Sequence, residues 1–442
     1  MNQSRMRFQD PIHGLMEFED WVVKVIDTEH FQRLRNIKQL GTTYYVYPGA
    51  CHNRFEHSLG VAHLANSLVT RIYETHKQPE LPKLEYNERD LKCVTLAALC
   101  HDLGHGPFSH LFEKEFIKKI RPERKWKHED GSKMMVNHLF EVYGSKILGD
   151  LDTNDEKFIK DLIDGNRTNR SPYLFDVVAN KRNSIDVDKF DYLARDCHYL
   201  GMKSEFDHSR LMKFSRVYEN QITYYFKESY NIYDLFHTRY SLHKKAYNHR
   251  VGKAIDFMIR DALIEADPIL KISESINDPN EYLKMDDTIL NKIEFSNDEE
   301  LKKSQDIIKR IRTRNLYKFV DEFLVPEDLK DKLTEQKINP VEIADKELKV
   351  DDIIVDRLVL NYGMKAENPV NHVKFYDKKK GDKVFTLEKS QVSYLVPEQF
   401  EELNIRIFSK DPDHKKIEHT RKRFQELLKK ITNKDQKTYY TR

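Results

Sequence analysis

The 442-residue sequence predicts a mainly α protein with a small β-hairpin and a C-terminal α+β lobe. Three observations predict it. Apolar residues recur at helical spacing through most of the first three-quarters of the chain, short alternating runs crowd the region after residue 328, and a basic amphipathic helix closes the sequence. The expected domains are residues 1–328, a helical body, and residues 329–442, a smaller lobe.

In residues 28–41, TEHFQRLRNIKQLG sets Phe31, Leu34, Ile37 and Leu40 at helical spacing and stops at a glycine. A second helix follows His57, with Leu59, Ala62, Leu68, Val69 and Ile72 on its apolar side. Asn87 can cap a third, ERDLKCVTLAALCHDL, whose small and branched apolar residues predict burial nearly all round. Gly104, Gly106 and Pro107 end it. The polar stretch 148–172 reads as loop with at most one helix. Helical segments follow at 187–200 and 233–266, with a hairpin between them at VYENQITYYF. Beyond residue 328, DDIIVDRLVLNYG, HVKFYD, KVFTLE, SQVSYLV and IRIFSK read as strands. HKKIEHTRKRFQELLKKI then reads as a helix with Ile417, Phe424, Leu428 and Ile431 as its apolar stripe.

With 39% hydrophobic and 33% charged residues, the chain can bury a large core, and it holds no apolar window of the roughly 18 residues that a membrane span needs. MNQSRMRFQDPIHG lacks the apolar stretch of a signal peptide, so an intracellular protein, nuclear or cytoplasmic, is expected. A net charge of +2 does not by itself announce a nucleic-acid partner. Cys51, Cys93, Cys100 and Cys197 form no Cys-x-x-Cys pair and read as reduced, buried thiols.

The stretch AALCHDLGHGPFSH gathers His101, Asp102, His105 and His110 at the end of an apolar helix. Neighbouring residues on a helix project about 100° apart, so His101 and Asp102 can share one ion only if other segments complete the shell. His57, in HNRFEHSLG, and Asp188, in SIDVDKFDYLARD, are the candidates. Two imidazoles and two carboxylates suit iron, manganese or zinc, with water completing the site. The plainer alternative for each residue alone is a surface or capping role. Asp188, Tyr192 and Asp196 recur every four residues beside Lys189, and Arg239, His243 and Tyr247 repeat that spacing. Two such stripes together with a metal cluster predict a polar cavity where anion, sugar and metal meet. Walker and dinucleotide glycine motifs are absent, so phosphate must be held by side chains.

The order His57, His101-Asp102, Asp188 resembles the HD superfamily of metal-dependent phosphohydrolases. DPIHG, FQRLRNIKQLG, HNRFEHSLG, CHDLGHGPFSH, KRNSIDVDKFDY and ARDCHYLG extend the resemblance to the catalytic core of the sterile-alpha-motif and HD-domain deoxynucleoside triphosphate triphosphohydrolases, and YGMKAENPVNHVKFYDK carries it into the C-terminal lobe. The resemblance starts at the enzyme core, so a chain without the sterile-alpha-motif domain is expected. The resemblance implies an HD-type catalytic domain over 1–328, with its metal-site core at about 54–193, and a lobe at 329–442 making oligomer and regulatory contacts. It implies that His57, His101, Asp102 and Asp188 bind the metal. Arg54, Lys189, Tyr192 and Arg239 would hold the triphosphate, and His105, His110 and His128, with Asp102, would serve catalysis. Gln39 and Asp196 would read the sugar 3′-hydroxyl, Tyr247 would crowd the 2′ position, and Leu40 and His243 would complete the substrate contacts.

Further implications are Mg2+ on the nucleotide phosphates, GTP or dGTP as activator, and a homotetramer. Weak binding of single-stranded nucleic acid is also expected. Asp27, Gln32 and Arg35 match the positions that read guanine, while Arg210, Lys227, His249, Arg250, Arg314, Lys318 and Lys378 match activator or subunit contacts. Met6, Gln9 and Tyr225 depart from the lysine, asparagine and arginine of the vertebrate enzymes, which bears on the strength and base choice of activation. Two rival readings remain within reach of the residues: a phosphodiesterase or nuclease of the same superfamily, and a nucleotide- or RNA-binding scaffold without activity. A zinc peptidase reading of HDLGH needs one helix through both histidines, and Gly104 and Gly106-Pro107 oppose that.

Overall fold

Asn53 opens the helix that matters most. Its N–H is accepted by the Glu56 carboxylate at 2.7 Å, and the helix Arg54–Thr75 runs on from there with Leu59, Leu68, Val69 and Ile72 buried. The computed structural model describes residues 5–85, 87–381 and 383–441. Asn87 caps the helix Glu88–Cys100 by accepting the Arg89 N–H, and residues Cys93 to Cys100 are all buried, as the apolar run predicts. The helix Val187–Leu200 begins at the Asp186 cap and ends at Gly201, whose φ of 65° places it in the left-handed region.

The described chain divides into two compact units that interleave along the sequence. One comprises residues 1–242, 271–289 and 368–396, the other residues 243–270, 290–367 and 397–442. In the first, the Arg54–Thr75 helix packs against Glu88–Cys100 and Val187–Leu200. An N-terminal hairpin pairs Arg5–Asp10 with Gly14–Glu19, and the expected hairpin appears as Ser215–Tyr218 paired with Gln221–Tyr225. The latter is extended in parallel by Phe375–Tyr376, which Val384–Phe385 then joins antiparallel. In the second unit Glu401–Ser409 lies between Lys318–Val325 and Ile353–Asn361 in an antiparallel sheet. The helix His414–Thr432 buries Ile417, Phe424 and Leu428 in the same core as Phe323, Ile405 and Ile407, with Ile431 packed at its margin.

Several expectations need correction. Helix Glu29–Gln32 passes into a 3-10 turn, Arg33–Asn36, and stops there, because Ile37 is extended and Lys38 pairs with Asn53 across a β-bridge. Phe31, Leu34 and Ile37 are nevertheless fully buried. The segment 233–266 is three elements: Ser229–Leu242, a π-helical turn His243–Tyr247, and Arg250–Leu270. The wider turn breaks the even spacing of Arg239, His243 and Tyr247. Within SQVSYLV the structure places the short helix Lys389–Val392 instead of a strand, and Tyr394 and Leu395 stand exposed. The one helix allowed for in the polar stretch 148–172 is present, as Thr153–Asp164. All four cysteines are free thiols, but Cys51 is exposed, on an irregular segment between Tyr47 and Asn53. No helix among the described residues is long and apolar enough to cross a membrane.

Candidate metal centre

His57 projects from the first turn of Arg54–Thr75, while His101 and Asp102 follow directly on the last residue of Glu88–Cys100. One ligand atom from each of His57, His101 and Asp102 lies within 4.8 Å of the others. Asp188, in the first turn of Val187–Leu200, closes the set: its Oδ1 is 3.1 Å from His57 Nε2 and 3.5 Å from His101 Nε2. Asp102 reaches His101 Nε2 at 3.4 Å and His57 Nε2 at 3.5 Å. His57 and Asp102 are buried, whereas the Asp188 side chain keeps 30% exposure and marks the open side.

The tautomers favour a cation. His101 Nδ1 donates to the Ala98 carbonyl at 2.7 Å, which turns its Nε2 toward the carboxylates, buried and without a hydrogen-bond partner. His57 Nδ1 donates to Asp191 Oδ2 at 2.7 Å, leaving its Nε2 facing Asp102 and Asp188. Burial works against a charge on His57, yet the hydrogen bonds to Asp188 and Asp191, with the charges of Asp191 and Asp102, raise its pKa to about 10. Burial also opposes ionisation of Asp102, and Arg54, His101 and His105 more than offset it, holding that carboxyl well below the usual range. Asp188 is likewise lowered, against burial, by His101 and His57. A cavity that draws positive charge to two inward nitrogens and two ionised carboxylates fits a divalent transition metal.

Three further histidines form a second group. His105 stacks on His128 with ring centroids 4.0 Å apart, and His110 meets both edge-on at 5.0 and 5.4 Å. His105 Nε2 is 3.3 Å from Asp102 Oδ1, which joins this group to the metal set. Burial first, then Arg54 and His128, depress the basicity of His105; burial and Lys114 do the same for His110. Glu113, on the π-helical turn Phe112–Ile117, accepts from His128 Nδ1 at 2.7 Å and so orients that ring. The close approach of the two segments is built on Gly104: a Cβ there would lie 2.0 Å from the His128 carbonyl. Phe108 and Ser109 both adopt φ near 60°, a strained conformation held by Asp287, which accepts the Phe108 and Lys38 N–H groups at 2.6 and 2.9 Å.

Arg54 donates to Asp102 Oδ2 and to Ser109 Oγ, the latter at 2.8 Å. Lys189 lies 3.1 Å from both Asp186 oxygens. Burial raises the Tyr192 phenol, with Arg239 and Lys189 pulling the other way, so these three side chains share one electrostatic environment. Gln39 is buried with its side-chain oxygen unpartnered, next to half-buried Leu40. Asp196 is buried and takes His52 Nε2 at 2.7 Å. His243 and Tyr247 belong to the second unit, their rings edge-on at 4.9 Å.

The expected activator residues fall into three groups. Gln32 donates to the Ile26 carbonyl, next to exposed Asp27, and accepts from Arg35 at 2.8 Å, while Arg35 covers the Phe55 ring at 3.6 Å. Arg210 pairs with Glu228, and Lys227 and Lys378 flank the Tyr225 ring at 5.9 and 5.3 Å. Arg250, which follows His249, lines a cavity of about 270 Å³ together with Arg314 and Lys318.

The HD domain family matches residues 54–196 and the HD associated region matches residues 206–437. The chain is 47% identical over 421 residues to a Dictyostelium discoideum protein named as a deoxynucleoside triphosphate triphosphohydrolase SAMHD1 homolog, covering 95% of this chain and 80% of that one. It is 45% identical to human deoxynucleoside triphosphate triphosphohydrolase SAMHD1, covering 94% of this chain and 72% of the human protein. The chain belongs to the HD-domain deoxynucleoside triphosphate triphosphohydrolase family. The Xenopus laevis member is 42% identical, covering 97% of this chain and 74% of that one. Within this family member, sequence reasoning overlooked the residues behind the ligands: Asp191, Arg195, Asp10, His13, Glu113, Ser109, Asp287 and His52. The available signal was Asp191 with Arg195, an i, i+4 pair in the same helix as Asp188, which reads as a solvated ion pair until its burial is known.

Proposed function

We propose that this chain hydrolyses deoxynucleoside triphosphates to a deoxynucleoside and inorganic triphosphate in one metal-dependent step. The observation that carries the proposal is the convergence of two inward imidazole nitrogens, Asp102 and Asp188 beside a cationic and phenolic group, in a chain of this family. His57, His101, Asp102 and Asp188 would hold iron, manganese or zinc. A metal bound there polarises a phosphoryl oxygen or makes water a stronger nucleophile. Arg54, Lys189, Tyr192 and Arg239 grip the triphosphate and neutralise the charge that develops, and Mg2+ accompanies its outer phosphates. His105, neutral in the free protein, gains a proton as the substrate's negative charge arrives, and passes it to the departing 5′-oxygen. His110 and His128 contact phosphate, with Glu113 fixing the His128 ring. Gln39 and Asp196 read the 3′-hydroxyl, with Leu40 beside them.

Incubation of the purified chain with each deoxynucleoside triphosphate, with and without GTP, tests the reaction. Deoxynucleoside and triphosphate are the expected first products. Monophosphate plus pyrophosphate would refute the reaction, and rapid digestion of single-stranded DNA would favour the nuclease reading.

Regulation belongs to the same proposal. GTP or dGTP binds through Asp27, Gln32 and Arg35, with Arg210, Lys227, His249, Arg250, Arg314, Lys318 and Lys378 supplying phosphate or subunit contacts, and favours a homotetramer. A carboxylate can accept from guanine N1 and N2 while a guanidinium donates to O6 or phosphate. A ligand that binds only the assembled form stabilises it by mass action. In sedimentation, GTP is expected to shift the wild type to a tetramer and to leave Asp27→Ala unassembled. A wild type that stays monomeric with unchanged activity at every GTP concentration removes the regulatory part and leaves the active site standing.

A further inference from the structure

Behind His57 lies a fully buried polar cluster that reaches the N-terminal hairpin. Asp191 accepts His57 Nδ1 at 2.7 Å on Oδ2 and His13 Nε2 at 2.7 Å on Oδ1. Arg195 adds Nε on Oδ2 at 2.9 Å and Nη2 on Oδ1 at 2.8 Å. Four donors fill the capacity of one carboxylate. Arg195 turns its remaining Nη1 to Asp10 Oδ2 at 2.8 Å, and Asp10 Oδ1 accepts the N–H groups of Ile12 and His13 at 2.8 and 2.9 Å. Asp191 and Arg195 have no exposed side-chain surface, and His13 and Asp10 have 3% each. The rings of His63 and His208 enclose His13 at 5.8 and 5.6 Å.

The ligand helix is cut to receive this cluster. At Gly60, one turn beyond His57, a Cβ would fall 1.9 Å from Asp191 Oδ1 and 2.7 Å from Arg195 Nη2. The carboxylate thus packs directly on the helix backbone and meets His57 from the side opposite Asp102 and Asp188.

We propose that Asp191 is a positioning residue of the metal centre, fixing the tautomer and ring orientation of His57, and that the hairpin Arg5–Asp10/Gly14–Glu19 is part of that support through His13 and Asp10. The proposal rests on the metal reading of His57, His101, Asp102 and Asp188. An ionised carboxylate that must accept from His57 Nδ1 leaves the Nε2 lone pair for the metal and makes the imidazole a stronger donor. The carboxylate stays in place because Arg195 and His13 hold its other lone pairs. A hairpin residue 178 positions away from Asp191 in sequence therefore contributes to metal affinity without touching the ion.

Mn2+ affinity, measured by chelator competition on the full chain, tests the proposal, alongside the thermal midpoint of the metal-free protein. Asp191→Asn is expected to weaken Mn2+ binding about 10- to 100-fold, in the range that altered partners of metal-bound histidines give. His13→Phe keeps a ring but removes the donor and should also weaken binding. His13→Gln, whose Nε2 can stand where the imidazole Nε2 stood, should restore most of it. The metal-free midpoints report the stability that each His13 variant loses with that hydrogen bond. Equal Mn2+ affinity in wild type, His13→Phe and His13→Gln, or equal weakening in both variants, overturns the proposal whether or not Asp191→Asn folds. A wild type that binds no Mn2+, Fe2+ or Zn2+ overturns the metal reading itself.

Discussion

Replacing His101 and Asp102 together by alanine is expected to empty the metal site and to lower turnover by at least about 10³-fold. A bound metal supplies several kcal/mol of charge stabilisation, and each ~1.4 kcal/mol is a factor of ten in rate. Both residues sit just past the last residue of Glu88–Cys100, where the helix loses only the His101 bond to the Ala98 carbonyl. The substitutions remove His101 Nε2, a buried nitrogen without a hydrogen-bond partner, and the carboxylate shared by His57, His101 and His105. Elemental analysis of the purified double variant, with circular dichroism as the control for folding, checks the expectation. Full metal occupancy in a folded double variant would place the ion elsewhere.

Arg54→Ala should be the second most damaging change, and for two separable reasons. Arg54 is buried, with 4% exposure, and its guanidinium donates to Asp102, Ser109 and the Gln39 carbonyl. Removing it strands a buried carboxylate in the metal-free protein, at about 3–5 kcal/mol. On the proposed reaction it also removes a fixed cation from the triphosphate contacts, and kcat/KM is expected to fall by roughly 10²- to 10³-fold. Mn2+ compensates the Asp102 charge, so the loss of stability should shrink when the metal is bound, while the loss of activity should not. Arg54→Lys keeps the charge but not the three-way fork and should recover stability more than activity. Denaturant midpoints with and without Mn2+, together with steady-state kinetics, separate the two effects. Undiminished kcat/KM in Arg54→Ala would remove Arg54 from the phosphate site.

What the sequence made legible was what depends on local rules. Helix Glu88–Cys100 follows from the Asn87 cap and the apolar run, and Val187–Leu200 from the Asp186 cap and Gly201. The candidate metal group was legible because the order and company of its residues are distinctive, and the structure brings His57, His101, Asp102 and Asp188 together although they come from three separate segments. The support behind them was hidden by separation. Asp191 meets His57 across 134 residues, His52 meets Asp196 across 144, and Asp287 holds Phe108 across 179, so local spacing gives none of these pairings. The end of the helix beginning at Glu29 was misjudged for the same reason. Its apolar spacing continues to Leu40, but the bridge to Asn53 and the Lys38 N–H bond to Asp287 pull the chain out of helical geometry. The strand Lys318–Val325 escaped notice because Asp321 and Glu322 interrupt its apolar pattern. Both are buried, satisfied by partners such as Thr438 on Asp321 and Arg250 on Glu322.

Hydrolysis in 18O-enriched water, followed by 31P NMR and mass spectrometry of the products, addresses the central claim most directly. Attack on the α-phosphorus with departure of the 5′-oxygen puts one 18O into inorganic triphosphate and none into the deoxynucleoside. That labelling is expected with every deoxynucleoside triphosphate the chain accepts. Label in a monophosphate or in pyrophosphate, or in the deoxynucleoside hydroxyl, would contradict the assignment of the reaction to this metal centre.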